Sequence, residues 1–412
     1  MLPSHHLIQQ ENLEFLKQET TTNELKLVAG VDTIYIDPPY NTGNHEATGF
    51  VYNDTFGRHP DRHTLWLNFM KERLLLARTL LKPAGVIVVS IDDSEAHRLR
   101  VLMDEVFGEN NFIAQLVVDG GNPKNNARFF STTHEYMLVY ARSAASLYKT
   151  NTKWRKRRDG IDKLLKEYAR STKRYKEDYD QVTTHLKAWV KTQKLTKRLK
   201  VFYNADAKGL YTYSDLSAPG VGLRYEVKHP VTGKPCQIPS RGWGLSEAKF
   251  QALNNAGLVL YGKDETFQPL KKLYLQDRKD QVQKAILEYP SRTSTHLLEK
   301  LLGRKSSFNN PKNLKMMADL VDLITPPDGV VLDFFAGSGT TGHAVLMLNT
   351  TPDSNRTFVL VTNNENNIFN DVTKPRLMEA GKALKTTDVI KIVDTPQPIT
   401  NTEEPQKEEQ TS

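Results

Sequence analysis

The sequence predicts an α/β protein: a sheet of parallel strands built from two separated stretches of chain and interrupted by a basic α+β insertion. Three observations predict it. Before Ala145 and after about Leu301, short β-rich runs alternate with amphipathic stretches, the pattern of strands joined by helical crossovers. Between these stretches the composition turns first basic, then rich in Gly, Pro and aromatic residues. The 412 residues leave room for two or three domains, and an insertion of roughly 150 residues is the size of an independent one.

Taken in order, the first stretch offers strands at Val31–Ile36, Gly85–Ile91, Phe112–Val118 and Tyr136–Tyr140, with helices at Thr64–Leu81 and Ser94–Val106. The second offers a helix at Pro311–Ile324, a strand at Val330–Phe334, a helix at Thr340–Leu348 and a strand at Thr357–Thr362. In the insertion, Ile161 to Lys200 contains no Gly or Pro, and Ile161, Leu165, Tyr168, Tyr175, Tyr179, Val182, Leu186 and Trp189 recur mostly in steps of three and four. That spacing marks a buried helical stripe. Gly209 to Gly262 reads as turns and short antiparallel strands. The expected boundaries are a first part at 1–145, the insertion at 146–300, a second part at 301–392, and a disordered acidic tail at 393–412, where almost nothing apolar is left to bury.

Charge is unevenly spread. Residues 149–208 carry 19 basic and 7 acidic side chains, +12, against +8 for the whole chain, so the remainder is net −4. A localised cationic segment interleaved with Trp154, Tyr168, Tyr175, Tyr179 and Trp189 suits a phosphate backbone, because neutralised phosphates release condensed counterions. The helical spacing assigns these aromatics to packing, with Lys and Arg facing outward. The longest apolar runs, Gly85 to Ile91 and Val330 to Ala336, fall far short of the ~20 residues that cross a bilayer, so no membrane association is expected. A single cysteine, Cys236, excludes an intramolecular disulfide, a cysteine-rich zinc site and dithiol redox chemistry; no metal site is expected.

Two motifs carry chemistry. In DGVVLDFFAGSGTTGHAVLML a hydrophobic strand runs into a turn at Ala336–Gly339 and a helix opening at Thr340. Such a turn aims free N–H groups at an anionic or carboxylate-bearing cofactor, and an acid after the next strand, here Glu365, can hold a ribose hydroxyl. Gly337, Gly339 and Gly342 also satisfy GxGxxG, which admits a nicotinamide or flavin cofactor. Asp333, just inside the strand end, is badly placed for a pyrophosphate and well placed for an ammonium, which favours S-adenosylmethionine. In VDTIYIDPPYNTG a buried strand ends at Ile36 and is followed by Asp37, Pro38, Pro39 and Tyr40. The prolines stiffen the loop and lack N–H groups, so the backbone presents only acceptors beside the Asp37 carboxylate. Acceptors without donors suit an amino group, whose two protons they can hold, and Tyr40 offers a face for a planar base, worth ~1 to 3 kcal/mol per base in nucleic-acid sites.

With these residues the chain resembles the DNA amino-methyltransferases of the beta group, in which Asp-Pro-Pro-Tyr precedes Phe-x-Gly-x-Gly. It closely resembles the modification (Mod) subunits of type III restriction-modification systems, through IYIDPPYNTG, NFMKERLLLARTLLKPAGVIVVSIDD, THEYMLVYAR, FNNPK and DFFAGSGTTGHAV. The resemblance implies a Rossmann-like S-adenosylmethionine-dependent fold with the insertion as target-recognition domain, and methyl transfer to adenine N6 in double-stranded DNA after base flipping. Cytosine N4 enzymes more often have Ser at the position of Asp37. It further implies that Asp37 and the Pro38 carbonyl hold the amino group beside Pro39, that Tyr40 stacks on the base, that Asp333, Phe335, Gly337, Gly339 and Thr340 line the methionine side of the cofactor, and that Glu365 meets the ribose. A cytoplasmic protein, prokaryotic or phage-encoded, follows, with a restriction endonuclease subunit and a homodimer as partners. LIQQENLEFL resembles a family block reading Gly-Asp-Asn, with Gln10 and Glu11 in place of the first two residues. The chain is shorter than such subunits usually are, so a solitary or phage-type methyltransferase stands beside one with a nuclease partner. A cytosine N4 enzyme, a non-catalytic DNA-binding protein on the same scaffold and a nicotinamide-dependent dehydrogenase are the alternatives.

Overall fold

A computed structural model describes residues 4–43, 56, 59–121, 128–290, 292–305, 308 and 310–394. The chain divides into two compact units, one formed by residues up to 154 together with those from 284 onward, the other by 155–283.

The first unit is built on a nine-stranded sheet. In chain order its strands are β1 (His5–Gln9), β2 (Val31–Ile36), β3 (Leu81–Ile91), β4 (Phe112–Asp119), β5 (His134–Ala141), β6 (Ile286–Glu288), β7 (Val330–Asp333), β8 (Thr357–Thr362) and β9 (Ile390–Asp394). They lie in the order β6-β4-β5-β3-β2-β7-β8-β1-β9. Strand alternation shows in the burial. Ile34, Ile36, Ile87, Val89 and Leu332 pack with Trp66, Met70 and Leu74 of the helix Arg62–Leu80 and with Leu99 and Met103 of the helix Ala96–Phe107. Tyr35, Val86 and Val88 face the other way, onto Met316, Met317 and Leu320 of the helix Leu314–Ile324. Helices therefore cover both faces, which is why these strands read as unbroken apolar runs.

The sheet is mixed, not wholly parallel as expected. β5 runs antiparallel to both β3 and β4. The cause lies in the connection: the 120–133 segment between β4 and β5 opens on Gly120-Gly121 and has no helical period, whereas a parallel return needs a crossover, usually a helix. Three strands escaped the sequence pattern. β1 is only five residues and holds two histidines, β6 only three, and β9 is a five-residue edge strand that pairs with β1 alone. β9 also claims Val393 and Asp394 from the expected tail; residues 395–412 lie outside the described residues.

The second unit is narrower than the expected insertion of 146–300. The helix Ala144–Lys149 packs against β3 and β5, and β6 pairs with β4, so both belong to the sheet unit. Within the second unit the apolar stripe is divided between two helices, Ile161–Arg174 and Tyr179–Thr192. Lys176 and Glu177 turn the chain at positive φ, and the Asp178 side chain caps the second helix on the Gln181 amide. Ile161, Leu164, Val182, Leu186 and Val190 form its core, with Tyr168, Tyr175, Tyr179 and Trp189 packed on it. Lys163, Lys166, Arg170, Lys173, Lys187, Lys191, Lys194 and Lys197 are exposed. A four-stranded antiparallel sheet, a two-stranded one pairing Arg155–Arg157 with Asp280–Val282, and a small cluster around Trp243 and Phe250 complete the unit. Among the described residues no helix is long and apolar enough to cross a membrane.

Candidate active site

Topology fixes where a site forms. From β2 the chain passes through the helix Arg62–Leu80 to β3 on one side; from β7 it passes through the helix Thr340–Leu348 to β8 on the other. β2 and β7 are themselves parallel neighbours. Their carboxyl ends thus flank the point where the winding reverses, the crevice in which open α/β sheets bind ligands. Asp37 follows the end of β2 and Asp333 ends β7. The two motifs meet at one sheet edge, close enough for each carboxylate to raise the pKa of the other groups there.

The Asp-Pro-Pro-Tyr loop is held from three sides. The Trp66 indole donates to the Pro39 carbonyl at 2.7 Å, so one lone pair of this expected backbone acceptor is engaged. Asn41 sits at φ 56° and its amide donates to Glu95 at 2.6 Å; Glu95 is wholly buried and also pairs with His63. Tyr40 donates its hydroxyl to Asp37 Oδ1 at 2.7 Å or to Glu135 Oε2 at 3.0 Å, one proton serving one acceptor at a time. Lys312 Nζ donates to the Tyr40 oxygen and to Glu135 Oε2, each at 2.7 Å, and lies 3.1 Å from Asp37 Oδ1. Burial raises the Asp37 pKa, Lys312 works against that rise and Glu135 adds to it. For Lys312, burial favours losing the proton, but the carboxylates of Asp37 and Glu135 outweigh it and hold the ammonium above its ordinary range.

The glycine turn is satisfied locally. Gly337 and Gly339 stand at φ 50° and 76°, a backbone that side chains with a Cβ rarely adopt. Asp333 is 2% exposed; its Oδ1 accepts the Phe335 amide at 3.0 Å and its Oδ2 the Thr341 hydroxyl at 2.6 Å. Burial nevertheless pushes its pKa up to about 7. A Cβ on Gly342 would come within 2.7 Å of Leu360 and 2.8 Å of Leu377, so the third glycine packs the helix onto the sheet, as in a dinucleotide reader, and does not separate the two cofactor types. Behind the turn, Arg376 donates to the Ser338 hydroxyl at 2.9 Å and to the Thr340 hydroxyl at 2.7 Å. Thr340, expected to line the cofactor pocket, is buried with its side chain committed to this arginine. Burial alone lowers the Arg376 pKa to about 9.

Beside the turn opens a cavity of ≈ 310 Å³ lined by Glu11, Asn12, Pro39, Phe56, Phe69, Phe334, Phe335, Thr362, Asn363 and Glu365. Of the expected site residues it gathers Pro39, Phe335 and Glu365. The amino-terminal block reaches it because β1 is parallel to β8, which brings Glu11 to the same edge as Glu365. Glu11 caps the helix Asn12–Thr22 through the Leu13 and Glu14 amides and pairs with Arg73 at 2.7 Å. Arg73 also donates to Asn12, whose amide donates to the Phe334 carbonyl at 2.9 Å.

Sequence reasoning missed Glu135, Lys312, Arg73 and Trp66. The first two stood inside the quoted blocks THEYMLVYAR and FNNPK without a role; nothing local marks them, since their partners lie far away in the chain. His134, in the same block, shares a hydrogen bond with Tyr136 and is structural. Among the described residues no group of three or more His, Cys, Asp or Glu could hold a metal ion.

Fold and site together define a doubly wound α/β protein with paired carboxylates and a cavity of ≈ 310 Å³ at its switch point. The chain belongs to the DNA methylase family, whose model matches residues 31–369. It is 32% identical to the Mod subunit of the type III restriction-modification enzyme EcoP15I from Escherichia coli, over 92% of this chain and 63% of that one. With the StyLTI Mod subunit of Salmonella typhimurium it shares 34% over 81% and 49%. With the type II methyltransferase M.KpnI of Klebsiella pneumoniae it shares 29% over 86% and 79%. The chain therefore spans less than two thirds of the two type III relatives.

Proposed function

We propose that this chain is a DNA methyltransferase that transfers a methyl group from S-adenosylmethionine to the N6 amino group of adenine in double-stranded DNA. The observation that carries the reading is the placement of Asp37 and Asp333 at the ends of neighbouring parallel strands across the switch point. The residues fit the cofactor. Phe56, Phe69 and Phe335 give the cavity apolar walls for a planar base, and Glu365 and Glu11 place carboxylates at its rim for ribose hydroxyls. The turn at Gly337–Gly339 opens the helix Thr340–Leu348, whose amino-terminal end favours a carboxylate, and Asp333, when ionised, offers a negative charge to an ammonium. When bound, this cofactor supplies an electrophilic methyl group. The chain's own part is to hold the nucleophile in line, a contribution of orientation and not of covalent catalysis.

Asp37 and the Pro38 carbonyl accept the two protons of the amino group, which draws the nitrogen towards tetrahedral geometry and frees its lone pair. Tyr40, fixed by its hydroxyl, presents its ring to the base. A base inside a duplex cannot reach a sheet edge, so the target rotates out of the stack, and the exposed Lys and Arg of residues 155–283 bind DNA phosphates. An acid at position 37 favours adenine over cytosine.

Nucleoside mass spectrometry of plasmid DNA incubated with protein and labelled S-adenosylmethionine tests this. N6-methyldeoxyadenosine is expected. N4-methyldeoxycytidine would replace the adenine assignment, and no labelled nucleoside would overturn the activity. We further infer a cytoplasmic site of action, a role in restriction-modification with an endonuclease subunit as partner, and a homodimer, which co-purification and light scattering check.

A further inference from the structure

The acceptor set around Asp37 is not an isolated acid. Two carboxylates from different strands, Asp37 after β2 and Glu135 in β5, converge on the ammonium of Lys312, with the Tyr40 hydroxyl between them, at 2.7 to 3.1 Å. Lys312 is 13% exposed, and its ammonium also lies over the Tyr40 ring, 5.2 Å from the centroid. Both the lysine and the tyrosine engage Asp37 through Oδ1. Among the described residues Oδ2 has no hydrogen-bond partner, and the Asp37 side chain keeps 31% of its surface. One carboxylate oxygen is anchored and the other is left to a substrate.

We infer that Lys312 is a positioning residue for the transfer: it locks Oδ1 of Asp37 into a four-group set with Glu135 and Tyr40, so that Oδ2 stays ionised and aimed at the target amino group. This rests on the reading of Asp37 as the holder of that group. The physical need is plain. Glu135 is a negative neighbour of Asp37, Asp333 stands nearby with its pKa raised to about 7, Tyr35 and Tyr40 are neutral because burial and the carboxylates raise their pKa values, and Asp92 lies near Glu135. Burial and the Glu135 carboxylate favour a proton on Asp37; the Lys312 ammonium opposes it, helped by the Tyr40 hydrogen bond, and Lys312 is the one cation among the described residues that does so there. A protonated Asp37 would present a donor where an acceptor is required.

The experiment compares the wild-type chain with Lys312→Met, which keeps the stem and removes the charge, and Lys312→Arg, which keeps a charge. Carboxyl titration by infrared spectroscopy on protein labelled with carbon-13 aspartate, with Asp37→Asn to assign the band, reads Asp37 directly and does not depend on turnover. The Met variant should protonate Asp37 at a pH higher by about one to three pH units, and the Arg variant should stay near wild type. Single-turnover methylation should show the same displacement of its acid limb, with the loss recovered on the alkaline side, while S-adenosylmethionine binding is unchanged. Where the Met variant does not fold, Lys312→Gln serves the same comparison. An Asp37 band that titrates alike in wild-type and neutral variants overturns the inference, as does a rate loss equal at every pH. Failure of the wild type to methylate DNA overturns the proposed function instead, and the infrared titration still decides the role of Lys312.

Discussion

Asp37 and Asp333 end neighbouring strands, yet their surroundings are made in opposite ways. Asp333 takes its partners from its own turn, Phe335 two residues on and Thr341 eight residues on. Asp37 shares its partners with Glu135 and Lys312, which reach Tyr40 across 95 and 272 residues of chain. The first acid is a local device, complete once a strand, a glycine turn and a helix form. The second is finished only when three distant segments assemble. The Asp333 carboxylate is therefore held by its own turn, whereas the Asp37 carboxylate is held only through the assembled sheet.

The largest effect that would sharpen this contrast is on the substrate half. Asp37→Ala should retain S-adenosylmethionine and DNA binding, both measurable by titration, and lower kcat by on the order of 10³, as is typical when one polar partner of a reacting group is removed. Normal turnover would break the assignment. Next, Gly339→Val should damage the cofactor half. It forces a β-branched residue into φ 76° and brings its Cβ within 3.2 Å of Thr373, so thermal stability should fall by about 1 to 3 kcal/mol and cofactor affinity with it.

A third test reads the two acids apart by proton count. The folded protein raises the Asp333 pKa to about 7, so this carboxyl holds a proton between roughly pH 4 and 7 that the unfolded chain would have lost. An arriving ammonium favours the ionised form, so calorimetry in buffers of different ionisation enthalpy should show proton release on S-adenosylmethionine binding near pH 6.5, vanishing by pH 9 and in Asp333→Asn. The same sign means that the contribution of this group to stability declines as pH rises through that window. The smallest effect is expected outside both acids. Lys187→Glu with Lys191→Glu, on the exposed face of the helix Tyr179–Thr192, should leave cofactor binding unaltered. The salt dependence of DNA affinity should become shallower by about 0.9 in log–log slope for each phosphate that the helix no longer neutralises.

How much of this was legible in the sequence follows the same division. The turn at Asp333–Gly339 and the loop at Asp37–Tyr40 announce themselves, because glycine at positive φ and paired prolines have few substitutes. Strands β2, β3 and β7 are apolar on both faces and read clearly. β1, β6 and β9 did not, since a strand of three to five residues acquires its identity from its neighbour. The antiparallel course of β5 was hidden because alternation reports burial and not direction. Glu135 and Lys312 are charged residues that look like solvated surface until the sheet brings them together. The commitment of Thr340 to Arg376, and of the Pro39 carbonyl to Trp66, was invisible for the same reason.

The most direct test of the central claim is a crystal structure of the protein with an S-adenosylmethionine analogue and a target duplex. The account predicts an extruded adenine on Tyr40 with its amino nitrogen at Asp37 Oδ2, roughly 3 to 3.5 Å from where the transferable methyl lies against the Asp333–Gly339 turn. A cofactor bound away from that turn, or a base seated at another edge of the sheet, would contradict it.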